Sequence, residues 1–143
     1  MTLGYEKKMK IEQLQKIIDG SPFGKFSGYE LIDINVDEQR LVMKMPLRAE
    51  FERLPDSGQI HGGPIAALID SAGCYALVML HDSAIPTISF TTEYLRPAMN
   101  TSLTATAVVR KNGRSIGVVD INVVSDDDRL IAIGRGIYST ASR

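Results

Sequence analysis

A single carboxylate, Asp70, lies within the most apolar stretch of the chain, which runs from Ile65 to Leu80. Burying a carboxylate is costly unless it is paired or hydrogen-bonded, so proteins tolerate that cost more readily in a functional site than in a plain core. Asp70 is therefore a candidate working group. Two alternatives stay open at this point: Asp70 could face solvent, or it could bond to Ser71 or to nearby backbone.

The tripeptide His61-Gly62-Gly63 immediately precedes this stretch, and Pro64 follows it in a position that suits the first turn of a helix. N–H groups at a helix start are unpaired and lie at the positive end of the helix dipole. Glycine lets a substrate approach the backbone closely. Gly62 and Gly63 are thus candidates to polarise a substrate carbonyl, or they simply allow tight packing. His61 could bind substrate, or it could cap and orient the helix start.

The spacing of these groups bears on how a site could be assembled. Gly63 and Asp70 are seven residues apart, or about 10 Å along a helix axis. A reacting carbonyl needs its donor at ~3 Å and its attacking atom at ~3–3.5 Å. Two antiparallel helices across a two-fold axis could place Gly63 of one subunit near Asp70 of the other. The spacing therefore favours a homodimer.

Hydrophobic periodicity supplies the elements that must position these residues. It predicts a helix at 6–19 that Gly20 and Pro22 end, a loop around GKFSG, and one long helix from near His61 to Leu80–His81. Asn112-Gly113 predicts a tight hairpin turn in which both residues tolerate positive φ. Strands are predicted at 29–36, 40–47, 86–95, 102–111, 114–125 and 129–140, with a loop at 48–60. The result is an α+β fold in which an antiparallel sheet curves around one apolar helix.

Composition narrows the class of protein. The 143 residues fit one domain, and the net charge of −1 argues against a nucleic-acid-binding surface. The lone Cys74 excludes an internal disulfide and suits the reducing cytoplasm. Two histidines are too few for a usual zinc site. The N-terminus lacks a secretory core, and the apolar run is short for a bilayer, so no membrane association is expected.

The ordered set of HGG, an acidic residue nine positions after His61, EYLRPA and LTATAVVRKNGR resembles the hotdog-fold acyl-CoA thioesterases of the phenylacetate-degradation (PaaI-like) group. The resemblance covers roughly residues 28–140 of a single domain spanning 1–143, with an N-terminal helix and loop at 1–27. It implies acyl-CoA hydrolysis without metal or organic cofactor, by homodimers often paired into homotetramers. It makes Asp70 the nucleophile or the general base.

The resemblance also implies roles for residues around the site. Thr87 lies near the place where relatives carry a hydroxyl that holds the attacking water, although it could be an ordinary strand residue. Arg96, with Arg110, Lys111 and Arg114 around the turn, could form a cationic rim for the CoA phosphates, or a solvated hairpin tip. Aromatic side chains could line an acyl pocket or belong to the core: Phe23, Phe26, Phe90 and Tyr94.

We assign no catalytic role to three further residues near the motif. Cys74 lacks an obvious activating partner and is expected to pack in the core. His81 should lie at the helix end, where the dipole favours a cation. Pro55 occupies a place where many relatives carry Asn or Gln, six residues before the motif histidine. Pro55 leaves open a non-catalytic acyl-thioester-binding protein of the same fold. A hotdog enoyl-thioester hydratase fits less well, because those enzymes use a different His-centred motif.

Overall fold

The computed structural model describes residues 8–141, which form a six-stranded antiparallel sheet wrapped against one long helix. The long helix and the ladder match the predicted α+β architecture. In chain order the elements are α1 (Ile11–Gly20), α2 (Pro22–Ser27), β1 (Glu30–Asn35), β2 (Arg40–Met45), a 3-10 turn (Ala49–Phe51), α3 (Gly62–His81), β3 (Thr87–Tyr94), β4 (Leu103–Asn112), β5 (Ile116–Ser125) and β6 (Leu130–Ser139).

The sheet order is β1-β2-β4-β5-β6-β3, so β3 lies at one edge beside β6 and does not pair with β4, which follows it in the chain. Side chains alternate between the two faces of each strand. Residues of β4 and β5 that face α3 are buried, whereas their neighbours are only partly covered. β3 is the exception, because nearly all of its residues are exposed in the isolated chain.

Helix α3 forms the centre of the hydrophobic core. Its length and mean hydropathy of 1.6 would be enough to cross a membrane, but half of its most apolar window is buried within the protein. Leu68, Ile69, Ala72 and Leu77 are completely buried against the sheet. This matches the prediction of a buried core helix.

The N-terminal region differs from the prediction. The helix begins at Ile11, where the Gln13 side chain accepts from the Lys10 N–H at 2.7 Å; residues 6 and 7 of the predicted range lie outside the described part of the chain. The predicted GKFSG loop is wrong, since residues 22–27 form α2. Ser21 caps that helix by accepting from Gly24 N–H, Pro22 starts it, and Gly28 ends it at φ 71°.

The predicted tight turn at Asn112-Gly113 is also wrong. Within residues 8–141, neither residue is among those with positive φ. Asn112 stays in the ladder opposite Gly117, and residues 113–115 form a longer turn closed by a 2.9 Å bond from Gly113 N–H to Ile116 O. The Asn112 side chain instead contacts His81 Nε2 through Oδ1 at 2.6 Å. That contact places His81 at the helix end, as expected.

Candidate active site

The Asp70 carboxylate is partly buried on α3 and faces the first residue of β3. Thr87 Oγ1 donates to Asp70 Oδ1 at 2.7 Å. A second hydroxyl, that of Tyr138 on β6, donates to the Asp70 main-chain carbonyl at 2.9 Å. The nearby Ser71 does not hold the carboxylate; its Oγ lies 3.5 Å from Tyr29 Oη instead. Asp70 is therefore fixed by the sheet, with part of its side chain still accessible.

The start of α3 carries the other predicted group. His61 is the N-cap residue, and its Nδ1 accepts from the Gly63 N–H at 2.9 Å. The capping alternative for His61 is therefore what the structure shows. The same bond corrects the prediction for Gly63, whose N–H is occupied and is not a free donor. Among residues 8–141, no acceptor faces the Gly62 N–H, so Gly62 is the remaining candidate to polarise a carbonyl.

Strand β3 runs back along α3 and contacts both ends of the proposed site. Thr87, at its start, reaches Asp70, while Tyr94, at its end, donates through Oη to the Gly62 carbonyl at 2.6 Å. A Cβ at Gly62 would lie 3.2 Å from Tyr94 Cζ, so the close approach favours glycine. Phe90 lies between them on the same exposed edge strand. Strand β3 therefore contacts both the Asp70 carboxylate and the main chain of Gly62.

Cys74 lies one turn after Asp70 but is not activated. Its Sγ donates to the Ile85 carbonyl at 3.2 Å. Burial, with a smaller effect from the Asp70 charge, raises the pKa of the Cys74 thiol to about 12. The thiol stays protonated at neutral pH, which agrees with a packing role.

Comparison with known proteins places this arrangement in a family. The model of the thioesterase superfamily matches residues 57–132, just over half of the chain. The chain belongs to the thioesterase superfamily. The matched range contains His61, Gly62, Asp70 and Thr87, whose geometry is given above.

Similar proteins sharpen this assignment. The acyl-coenzyme A thioesterase PaaI of Escherichia coli is 35% identical over 72% of this chain and 72% of its own length. The solved PaaI structure superposes with a TM-score of 0.79 and 28% identity, covering 92% of each chain. A Halobacterium salinarum protein named provisionally as an esterase is 31% identical over 94% of this chain and 95% of its own. A solved thioesterase-superfamily protein gives a TM-score of 0.84 at 29% identity, covering 90% and 96%.

This chain is accordingly a PaaI-like hotdog thioesterase, and its enzymatic class is that of thioester hydrolases. The assignment confirms the predicted fold and hydrolase class. It disfavours the hydratase and the non-catalytic binding protein as descriptions of the chain.

The four cationic residues predicted to bind the CoA phosphates do not all lie together in one chain. Arg96 Nη1 donates to the Leu130 carbonyl at the start of β6, whereas Lys111 and Arg114 are exposed at the opposite end of the sheet. The two ends are about 30 Å apart, at ~3.3 Å per strand residue. Arg110 is bound to Asp120 at 2.9 Å. The structure therefore gathers three of the four cations near the turn and leaves Arg96 elsewhere.

The four aromatic residues predicted to line an acyl pocket also lie in two separate places. Phe23 and Phe26 border an open cavity of about 360 Å³ that also touches Gly63, Pro64 and Phe51. Phe90 and Tyr94 lie on β3 instead. The two pairs therefore cannot be treated as one pocket wall within a single chain.

Two residues that the sequence analysis overlooked support the site. Glu52 orders the loop that contains Pro55, since its carboxylate accepts from the N–H groups of Asp56 at 3.2 Å and Gly58 at 3.0 Å. Tyr138, on β6, contacts α3 at the Asp70 main-chain carbonyl. A Glu before a Pro-Asp-Ser-Gly turn is a recognisable loop-closing signal, whereas nothing in the local sequence around Tyr138 points to Asp70.

Proposed function

We propose that this thioesterase hydrolyses an acyl-CoA to a free acid and CoA, with Asp70 as nucleophile or general base. The observation that carries the proposal is the Asp70 carboxylate, which accepts from Thr87 Oγ1 at 2.7 Å. It lies on a helix whose first N–H, that of Gly62, has no acceptor among residues 8–141. The substrate class is supported by the 35% identity to PaaI, which is named as an acyl-coenzyme A thioesterase.

The chemistry follows from these groups. Acting as a base, Asp70 takes a proton from water while the oxygen attacks the thioester carbon. Negative charge develops on the carbonyl oxygen, where a Gly62 N–H at the positive end of α3 would stabilise it. Collapse breaks the C–S bond, and the proton passes to the departing sulfur. Acting as a nucleophile, Asp70 would attack the thioester carbon and expel the CoA thiolate, which leaves an acyl anhydride. Water would then hydrolyse the anhydride to the free acid and the Asp70 carboxylate, and the proton released would pass to the thiolate.

Two copies of the chain are proposed to complete each site. Gly62 and Asp70 of one helix are eight residues apart, about 12 Å along the axis, too far to act on one carbonyl. Within residues 8–141, strand β3 pairs only with β6, so its other edge has no partner strand. It also exposes apolar side chains, Ile88 at 56% and Phe90 at 39%. Such edges favour pairing with another strand. We propose a homodimer joined along β3, with further pairing into a dimer of dimers.

The CoA phosphates are proposed to meet the β4–β5 turn. Within residues 8–141, Lys111 and Arg114 form no ion pair with an acid, so both charges are available. Arg110 shares Asp120 with Arg135 and retains exposed guanidinium surface. Arg96, at the other end of the sheet, would contact a different part of the substrate or the substrate of the partner subunit.

No metal or organic cofactor is proposed to take part, and the enzyme is expected in the cytoplasm. Within the described residues, no three His, Cys, Asp or Glu side chains converge as metal ligands would. The proposed chemistry uses the Asp70 carboxylate and the Gly62 N–H.

A panel of acyl-CoAs with colorimetric detection of free thiol tests the function. The proposal predicts thiol release from at least one member, unchanged by a chelator. A change in the acyl chain without thiol release would indicate a hydratase, and binding without either reaction would indicate a non-catalytic protein. Activity that a chelator abolishes and zinc restores would contradict the metal-free mechanism.

A further inference from the structure

We propose that Tyr138 is a positioning residue for thioester hydrolysis, and that it fixes the α3 backbone at Asp70 so that Thr87 can hold the carboxylate. The inference rests on the proposed role of Asp70. Tyr138 Oη donates to the Asp70 carbonyl oxygen at 2.9 Å, although the two residues are 68 positions apart in the chain. The contact therefore joins β6 to the helix at the residue that does the chemistry.

Tyr138 and Thr87 act as a pair because of strand register. They are direct partners in the antiparallel ladder between β6 and β3, and direct partners project from the same face of a sheet. One hydroxyl reaches the Asp70 carboxylate and the other reaches its main-chain carbonyl. Asp70 is thus held at two points by one cross-strand pair. A slide or rotation of α3 would break both contacts together.

The Tyr138 ring packs closely between α3 and β6. The side chain is fully buried. A Cβ at Gly73, on α3, would lie 2.9 Å from Tyr138 Cζ, and a Cβ at Gly136, on β6, would overlap the ring. Glycine on both sides lets the ring pass between helix and sheet with its hydroxyl at Asp70. The packing leaves the hydroxyl one defined position.

The protonation state of the Tyr138 hydroxyl is also defined by its surroundings. Burial, followed by the Asp70 charge, raises the pKa of the Tyr138 phenol far above its ordinary value. The phenol therefore stays protonated at neutral pH and can act as a hydrogen-bond donor. Tyr138 does not touch the substrate in this account; it acts through Asp70.

Tyr29 offers a matched control. It is also a buried tyrosine, 3% exposed, and its hydroxyl faces the same helix at Ser71 rather than Asp70. Removing either hydroxyl deletes one oxygen from a buried ring beside α3. A role in stability alone predicts the same kinetic behaviour for both variants, whereas a positioning role does not.

The experiment is a kinetic double-mutant cycle with an acyl-CoA that the parent enzyme hydrolyses. Tyr138→Phe, Tyr29→Phe, Asp70→Asn and the Tyr138→Phe/Asp70→Asn double variant are assayed at a temperature where circular dichroism shows each to be folded. Loss of one hydrogen bond that aligns a reacting group should lower kcat about tenfold.

Four results are expected. Tyr138→Phe lowers kcat about tenfold with KM within twofold, and Tyr29→Phe keeps kcat within twofold. Asp70→Asn loses most activity, and adding Tyr138→Phe to it lowers kcat by less than twofold, because the residue acts through Asp70. A parental kcat for Tyr138→Phe, or an equal loss in both backgrounds, overturns the inference alone. A parental kcat for Asp70→Asn overturns the proposed function and the inference with it.

Discussion

At the scale of single residues, His61 separates two explanations of the HGG motif. Its Nδ1 caps α3 by accepting from Gly63 N–H, and asparagine can replace that acceptor, whereas alanine cannot. We expect His61→Ala to lower the free energy of unfolding by about 1 kcal/mol and to reduce kcat, and His61→Asn to restore both. Urea unfolding and steady-state kinetics on the two variants measure this. An Asn variant with parental stability and the low kcat of the Ala variant would instead place the imidazole on the substrate.

The residue scale also shows what the sequence can and cannot reveal. Asp70 could be found because it is the one charge in a long apolar run, and Gly62 because glycines precede a helix start. The Tyr138 contact could not be found, because it depends on the register between β3 and β6. Similarly, the occupied N–H of Gly63 depends on the rotamer of His61, which spacing does not specify.

At the scale of elements, the β4–β5 turn tests the binding of CoA. Neutralising Arg110, Lys111 and Arg114 together should raise KM for acyl-CoA and leave kcat little changed, because phosphate contacts lie far from the scissile bond. The change in KM should shrink at high ionic strength, where exposed charges are screened. A large fall in kcat at constant KM would place these residues near the chemistry.

The same sheet contains an ion cluster that should make stability depend on pH. Hydrogen bonds from Arg135, and then from Arg110, hold the pKa of the Asp120 carboxyl below its ordinary value. Because the pKa of Asp120 is lower in the folded protein than in the unfolded chain, the ion cluster stabilises the folded state above pH ~4. This stabilisation is lost as the pH falls through the pKa that Asp120 has in the folded protein.

The direction in which Asp120 makes stability depend on pH can be measured directly. Asp120→Asn should be less stable than the parent in urea unfolding at pH 6, and the difference between the two proteins should narrow as the pH is lowered toward 3. Asp120 faces the outer sheet surface, so kcat should stay close to parental. An equal difference at both pH values would show that the ion cluster is not responsible.

The elements themselves were predicted unevenly. Period-two runs located the strands, most clearly β2, β4 and β5, in which alternate residues are buried, and the lone apolar run located α3. The order of strands was not accessible, because β3 crosses to the far edge of the sheet through contacts that are distant in sequence. α2 was missed although Ser21, Pro22 and Gly28 carry start and stop signals; six residues are too few to show a helical period.

At the scale of the whole molecule, the exposed β3 edge leads to a test of assembly. Ile88→Asp places a charge on that edge and should convert the dimer to a less active monomer. Ile32→Asp is the matched control, since Ile32 is 49% exposed on β1 at the opposite edge of the same sheet; it should keep the parental mass and kcat. Light scattering with parallel kinetics checks both variants. A parent enzyme that is monomeric and fully active would contradict a site shared between subunits.

The acyl-CoA hydrolysis rate of Asp70→Asn, measured beside its thermal stability, tests the proposed catalytic role of Asp70. Asparagine keeps the size of the side chain and an oxygen that can accept from Thr87 Oγ1, so the fold should persist. An amide is a poor base and a poor nucleophile, and we expect kcat to fall by ~10²-fold or more. If the variant melts differently yet hydrolyses acyl-CoA at the parental rate, Asp70 is a structural carboxylate and the central claim is wrong.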